Sequence, residues 1–193
     1  MNIAVYSGSF DPLHIGHLAI LSYLTREGLF DEVYLVVSPQ SPFKHASQAQ
    51  TGAQRHAAAV AALARHPELR ARAEDIELGM TPPHYTIRTL DALREREPGN
   101  TFTLIIGADN LESFPRWRDH DRILLEYGIA VYPRKGSDIS TDTLPPRVQI
   151  INTPLIDISS TDIRERIRRG EPIDALVHPR VAALIQRQGW YKE

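Results

Sequence analysis

The sequence predicts a doubly wound α/β fold, a parallel sheet covered on both faces by helices, with a small helical part at the C-terminal side. Three observations point there. Short apolar runs alternate with longer amphipathic stretches along the 193 residues. The apolar runs are near-continuous rather than alternating, as in strands buried on both faces. Gly170 and Gly189 follow the last two helical stretches, where C-capping glycines belong.

In chain order, Ile3–Ser7 reads as a buried strand and the stretch from about His17 to Glu27 as a helix, with Leu18, Leu21 and Leu24 recurring on one face. Glu32–Pro39 is a second strand, carried by Val33, Leu35, Val36 and Val37. Gln54–His66 is Ala-rich and helical, Arg70–Leu78 a weaker strand, and Thr86–Glu97 a helix with Leu90 and Leu93 inward. Thr101–Gly107 (Phe102, Leu104, Ile105, Ile106) carries the clearest strand pattern, followed by strands at Gly128–Tyr132 and Val148–Asn152. Thr161–Arg169 and Pro179–Gln188 are helices. The loop Ser38–Thr51 and the stretch Lys135–Pro146 are expected to be the mobile segments. No repeat and no long linker divides the chain, so residues 1–193 are expected to form one domain, the helices from about 160 packing on it.

Composition narrows the function classes. Hydrophobic residues make up 42% and charged residues 24%, which is globular usage. There is no cysteine, so a disulfide framework and thiolate metal sites are excluded, and a reducing cytoplasm is the expected compartment. The formal net charge of −2 offers no global basic field for a nucleic-acid backbone. No basic, then apolar leader opens the sequence, and no apolar run is long enough to span a membrane.

The junction after the first strand, Gly8-Ser9-Phe10-Asp11-Pro12-Leu13-His14-Ile15-Gly16-His17, is the first place where chemistry shows. Glycines there permit close approach of a ligand to the backbone, and N–H groups at a helix start favour phosphate. It is neither a dinucleotide fingerprint nor a Walker A loop. Two histidines three apart at the helix mouth can both face the space beyond the sheet and stabilise charge on a transferring phosphoryl group. Without nearby cysteines or carboxylates the pair is a poor zinc signature.

The second place is Ile158-Ser159-Ser160-Thr161-Asp162-Ile163-Arg164. Ser159 or Ser160 can cap the helix that follows, leaving hydroxyl and N–H groups facing an anion. Ile163 and Ile167 share an inward face. Arg166, Arg168 and Arg169, near the helix end, complement the macrodipole and read as solvated surface. Arg164 lies near the start, where a cation is disfavoured by about 0.3–1 kcal/mol, so it calls for an anionic partner.

These two segments resemble the signatures of the nucleotidylyltransferase superfamily, His-x-Gly-His and, in its adenylyltransferases, Ile-Ser-Ser-Thr-x-x-Arg. Further stretches resemble the bacterial nicotinate-nucleotide adenylyltransferases, end to end. Ser38-Pro39-Gln40-Ser41-Pro42-Phe43-Lys44 is similar to a Pro-rich loop whose lysine reaches phosphates, although that loop has Asn-Pro-His where this chain has Ser41-Pro42-Phe43. Asp75-Ile76-Glu77-Leu78 and His84-Tyr85-Thr86 resemble the stretch whose Tyr-Thr pair lines the pyridine pocket. Gly107-Ala108-Asp109 with Phe114 and Trp117 resembles a segment whose tryptophan stacks on the pyridine ring, and Arg134 falls at a basic position.

The resemblance implies a Rossmann-like nucleotidyltransferase fold and adenylyl transfer from ATP to nicotinate mononucleotide. It implies His14, His17, Lys44 and Arg164 as catalytic residues. ATP would meet Gly8, Ser9, Phe10, His14, His17, Gly107, Asp109, Ile158, Ser159, Ser160, Thr161 and Arg164. The pyridine nucleotide would meet Ser9, Phe10, Lys44, Tyr85, Thr86, Trp117 and Arg134. A phosphate monoester nucleophile is already largely dianionic at neutral pH and needs no general base. No carboxylate cage for a metal is visible, so Mg²⁺ is expected to arrive with ATP. Selection between the acid and amide forms of the pyridine is expected to rest on main-chain N–H groups near Thr86 and Trp117. Alternatives are transfer to nicotinamide mononucleotide or 4′-phosphopantetheine, a class I aminoacyl-tRNA synthetase suggested by His14-Ile-Gly-His17, and a non-catalytic nucleotide sensor. Neither a nucleic acid nor a membrane is expected as partner, and homo-oligomerisation stays open.

Overall fold

The computed structural model describes residues 1–26, 28–39, 50–137, 144–155 and 157–192. A six-stranded sheet runs through it in the order β3-β2-β1-β4-β5-β6, every adjacent pair parallel. The strands are β1 Asn2–Gly8, β2 Glu32–Val37, β3 Ala71–Glu74, β4 Thr101–Gly107, β5 Ile129–Tyr132 and β6 Val148–Ile150. Around them lie α1 Ile15–Arg26, α2 Gly52–Leu63, α3 Thr86–Arg96, the short α4 Ala108–Leu111 and α5 His120–Arg122, then α6 Ser160–Arg168 and α7 Pro179–Gln188.

The expected doubly wound parallel sheet is therefore present. Alternate residues of β1 go to opposite faces: Ala4 and Tyr6 join a core with Leu21, Leu35 and Val181, whereas Ile3 and Val5 join one with Leu90, Leu93 and Ile123. Burial on both faces is why the strands read as continuous apolar runs. Strand order reverses between β1 and β4, which leaves a crevice beyond their carboxyl ends. The described helices include none long and apolar enough to cross a membrane.

Local signals account for most element ends. Thr51 caps α2 in a reciprocal capping box with Gln54, and Gly189 closes α7 in the left-handed conformation at φ 66°. Two regions differ from expectation. Arg70–Leu78 is a strand only over Ala71–Glu74, an edge position paired with β2 alone, and then tightens into a 3₁₀ turn at Ile76–Gly79. Between β4 and β5, where no helix was expected, the chain makes α4, a 3₁₀ turn at Phe114–Arg116, and α5 running into a π turn over Ile123–Tyr127.

Candidate active site

A cleft of about 400 Å³ opens at the carboxyl ends of β1 and β4. Its walls come from the β1–α1 junction, the ends of β4 and β5, the start of α3, the stretch after α4, and the start of α6. Segments at the two ends of the chain thus meet at one sheet edge.

The β1–α1 junction is bent tightly. Phe10 takes a left-handed φ of 46°, a conformation a bulky residue adopts at a cost of order 1–3 kcal/mol. The turn folds the Phe10 ring back against β1, where it meets Tyr6 edge-on at 5.4 Å and His17 at 5.0 Å. Gly8 makes this possible, because a Cβ there would lie 3.1 Å from the Phe10 ring.

His14 and His17 stack with ring centroids 3.6 Å apart. The main-chain N–H of His14 donates to Nδ1 of His17 at 3.1 Å, which places the proton of a neutral His17 on Nε2. Burial, with help from the Arg134 charge, lowers the pKa of His14 to about 4. Burial, then His14 and Arg134, hold His17 well below the usual histidine range. Both rings are therefore neutral at pH 7. The N–H groups expected to await a phosphate at the start of α1 are partly used within the protein, since Ile15 N–H donates to Leu176 O at 3.0 Å.

α6 supplies the anion-facing helix start. Ser159 is its cap, Oγ accepting from Asp162 N–H at 3.1 Å, and the first-turn N–H groups of Ser160 and Thr161 have no intrahelical acceptor. The Ser160 hydroxyl donates to Pro12 O at 3.0 Å and Arg164 Nη1 to Asp11 O at 2.8 Å, tying α6 to the β1–α1 junction across 148 and 153 residues. Arg164 Nη2 donates to the Thr161 hydroxyl at 3.2 Å, and among the described residues Arg164 makes no ion pair. Ile163 is fully buried and Ile167 packs against the same core, as the helix pattern predicts.

Opposite, Gly107 is closely approached: a Cβ would sit 2.4 Å from Asp109 Oδ1, which would have to turn aside, and 3.2 Å from the Arg134 side chain and the Tyr132 ring. Arg134 faces Asp109 at 3.6 Å and lies over the Tyr132 ring at 5.8 Å. Thr86 starts α3, and no acceptor for its N–H exists among the described residues. Trp117 lines the cleft and leans on Phe114 at 5.5 Å, but its own N–H donates to Phe114 O at 2.9 Å. That N–H is spent on the turn, whereas the N–H of Thr86 meets no acceptor among the described residues.

Gly8, Ser9, Phe10, His14, His17, Thr86, Gly107, Asp109, Trp117, Ser159, Ser160, Thr161, Arg134 and Arg164 all line the cleft. Tyr85 does not: it precedes α3 and packs against the core on that face of the sheet. Ile158 borders a small neighbouring cavity behind His14 and Tyr132. Lys44, with Ser41 and Phe43, lies outside the described residues.

Several residues in and behind the cleft carry no motif. Tyr6 and Tyr132 join their hydroxyls at 3.2 Å beneath the histidines; both stand near the carboxyl ends of otherwise apolar strands. Glu77 is buried, takes the Thr89 hydroxyl on Oε1 at 2.8 Å, and has no hydrogen-bond partner for Oε2 among the described residues. Arg55, 2% exposed, reaches from α2 to the main-chain oxygens of Ser9, Ser38 (2.8 Å) and Pro39 (2.9 Å). Its spacing with Ala58, Ala59 and Ala62 on the buried face of α2 is the sequence signal for an inward-facing arginine.

The cytidylyltransferase-like family model matches residues 5–166. A probable nicotinate-nucleotide adenylyltransferase of Bacteroides fragilis is 42% identical over 95% of this chain and 90% of its own. One of Cytophaga hutchinsonii is 38% identical over 99% and 98%. Among solved structures, Plasmodium falciparum nicotinic acid mononucleotide adenylyltransferase complexed with NaAD aligns with a TM-score of 0.80 at 23% identity, covering 98% of this chain and 97% of that one. A putative nicotinate-nucleotide adenylyltransferase of Vibrio parahaemolyticus aligns with 0.73 at 21% identity, covering 100% and 96%. With two signature segments joined at one cleft on this sheet, and relatives alike from end to end, the chain belongs to the cytidylyltransferase-like family and, within it, to the nicotinate-nucleotide adenylyltransferases.

Proposed function

We propose that the chain, acting as one nucleotidyltransferase unit in the cytoplasm, transfers AMP from ATP to nicotinate mononucleotide, releasing pyrophosphate. The observation that carries this is the shared cleft. One end presents the start of α6, Arg164 and two neutral histidines; the other presents Trp117 and the unused N–H of Thr86. A polyphosphate fits the first end and a ring with an anionic substituent the second, because a helix start favours a negative group.

In the reaction a phosphate oxygen of the mononucleotide bonds to the α-phosphorus of ATP. The bond from that phosphorus to the α,β-bridging oxygen breaks, and pyrophosphate leaves with the electron pair. No proton has to be removed from the nucleophile. Alignment of the two polyanions then supplies most of the acceleration, about 7–11 kcal/mol when the geometry is near-attack. Arg164 and the α6 start hold the phosphates, while His17 offers Nε2–H to the charge that develops, an arrangement fixed before substrate arrives. Lys44 is assigned by resemblance to the same phosphates.

Among the described residues no group of three His, Asp or Glu side chains converges to hold a cation. Asp109, the cleft carboxylate nearest the β4 end, faces Arg134. This donor set fits Mg²⁺ carried on the triphosphate, where it would offset phosphate charge.

The test is pyrophosphate release with Mg-ATP and, in separate reactions, nicotinate mononucleotide, nicotinamide mononucleotide and 4′-phosphopantetheine. Turnover is expected with the first, at a kcat/KM at least tenfold above the second. Preference for the amide would overturn the assigned role of Thr86, and silence with all three would favour a nucleotide sensor.

A further inference from the structure

We infer that Tyr191, in the turn after α7 and outside both signature segments, is a positioning residue for the phosphate end of the cleft, acting through Asp11. The inference rests on the nucleotidyl-transfer reading given above.

Asp11 is 4% exposed and sits inside the β1–α1 junction, yet no arginine or lysine among the described residues pairs with its carboxylate within 4 Å. Its close polar partner is the Tyr191 hydroxyl, which donates to Oδ1 at 2.6 Å across 180 residues. The main-chain oxygen of the same Asp11 holds Arg164 Nη1 at 2.8 Å. One residue therefore receives the tyrosine on its side chain and the phosphate-facing arginine on its backbone. If the carboxylate were released, it could turn to a cation of the same junction, Arg55, whose charge it already meets, or Arg164, and a pair with Arg164 would cancel charge the site needs. The Tyr191 hydroxyl stays a donor throughout, because burial and the adjacent carboxylate push its pKa far up.

The backbone shows that this contact is held against a cost. Tyr191 is 3% exposed and has φ 65°, a left-handed conformation unfavourable for a tyrosine. The turn is set by Gly189 and by Trp190 N–H donating to Ile185 O at 3.0 Å, which swings Tyr191 under the junction. α7 also packs on α2, the helix whose Arg55 grips Ser9 O. Strain of this kind persists where surrounding contacts over-determine it, and here they converge on the loop that carries Phe10 and His14.

The test uses the full chain and four proteins: wild type, Tyr191→Phe, Asp11→Ala and the double variant. Phe keeps the buried ring and removes only the donor. Binding of a non-hydrolysable α,β-methylene ATP analogue is measured by calorimetry, turnover by pyrophosphate release, and melting by calorimetric scan. Tyr191→Phe is expected to weaken analogue binding about tenfold and to lower kcat, with KM for the mononucleotide within about twofold of wild type. In the Asp11→Ala background the same change should have no further effect. Wild-type affinity for the analogue in Tyr191→Phe, or an equal loss in both backgrounds, overturns the inference, as does a lower melting temperature with unchanged binding. If wild type binds the analogue but turns over none of the acceptors, the proposed function fails while the binding cycle still decides the role of Tyr191.

Discussion

Two sets of arginines in this molecule are held in different ways. On the α3 side of the sheet, Arg72 and Arg96 converge on Glu74 at 2.7–3.0 Å, and Arg94 and Arg122 meet Glu126 and Asp91 at 2.7–3.2 Å. At the cleft, where Arg134 faces Asp109 at 3.6 Å, Arg164 donates instead to the main-chain oxygen of Asp11, and Arg55, buried behind the β1–α1 junction, donates to those of Ser9, Ser38 and Pro39. A carboxylate fixes a guanidinium and cancels its charge. A carbonyl fixes Arg164 and leaves its charge available. The first arrangement suits a scaffold and the second a site that must attract two polyanions.

The sharpest way to break this contrast is Arg164→Ala. Turnover should fall about 10³-fold, because a preorganised cation at the transferring phosphoryl group is lost, while melting shifts by no more than about 2 °C. A drop in stability without loss of rate would place Arg164 with the scaffold. His17→Ala should cost about 10²-fold, the lower end for a single donor, again with an intact fold; a rate near wild type would remove His17 from the reacting centre. Glu74→Gln inverts the pattern. Urea denaturation should show a loss of about 2 kcal/mol with an unchanged m-value, and kcat/KM should stay within twofold, since Arg72 and Arg96 lose their shared buried partner and none of the three lines the cleft.

The last effect, one that leaves the rate comparison aside, is a pH dependence of stability. His14 titrates near 4 in the fold and near 6.5 when unfolded. Between those values the unfolded chain binds the extra proton, so stability rises with pH through that window and is fully present above it. His14→Asn should flatten the slope of the urea midpoint between pH 4 and 6.5. Glu97 acts lower on the scale. Burial alone would raise its pKa, but hydrogen bonds from Tyr34, Arg96 and Arg72 outweigh that and bring it to about 2, so its contribution is lost as pH falls from about 4.5 towards 2.

How much was legible in the sequence differs along the same divide. Strands β1, β2 and β4, buried on both faces, announce themselves by composition, and Thr101–Gly107 and Pro179–Gln188 coincide with their predicted bounds. The two signature segments were legible because they combine a turn, a cap and charged groups at fixed spacing. The β4–β5 connection was not, since helices of three or four residues and a π turn never complete an amphipathic period. Nor were Tyr6 and Tyr132, which sit among apolar strand residues and differ from core tyrosines only in where their hydroxyls end up. The loss of the Trp117 N–H to its own turn is a matter of backbone direction, which residue types do not encode.

The stacked histidines have one more consequence. Two imidazoles discharged well below neutrality keep the same charge across the physiological range. Neither ring would then add an acid limb to the rate between pH 5 and 7, whereas the incoming mononucleotide would, because its phosphate takes up its second proton near pH 6. The pair would work as a fixed part of the mould, and that share of the reaction's proton sensitivity would travel with its acceptor.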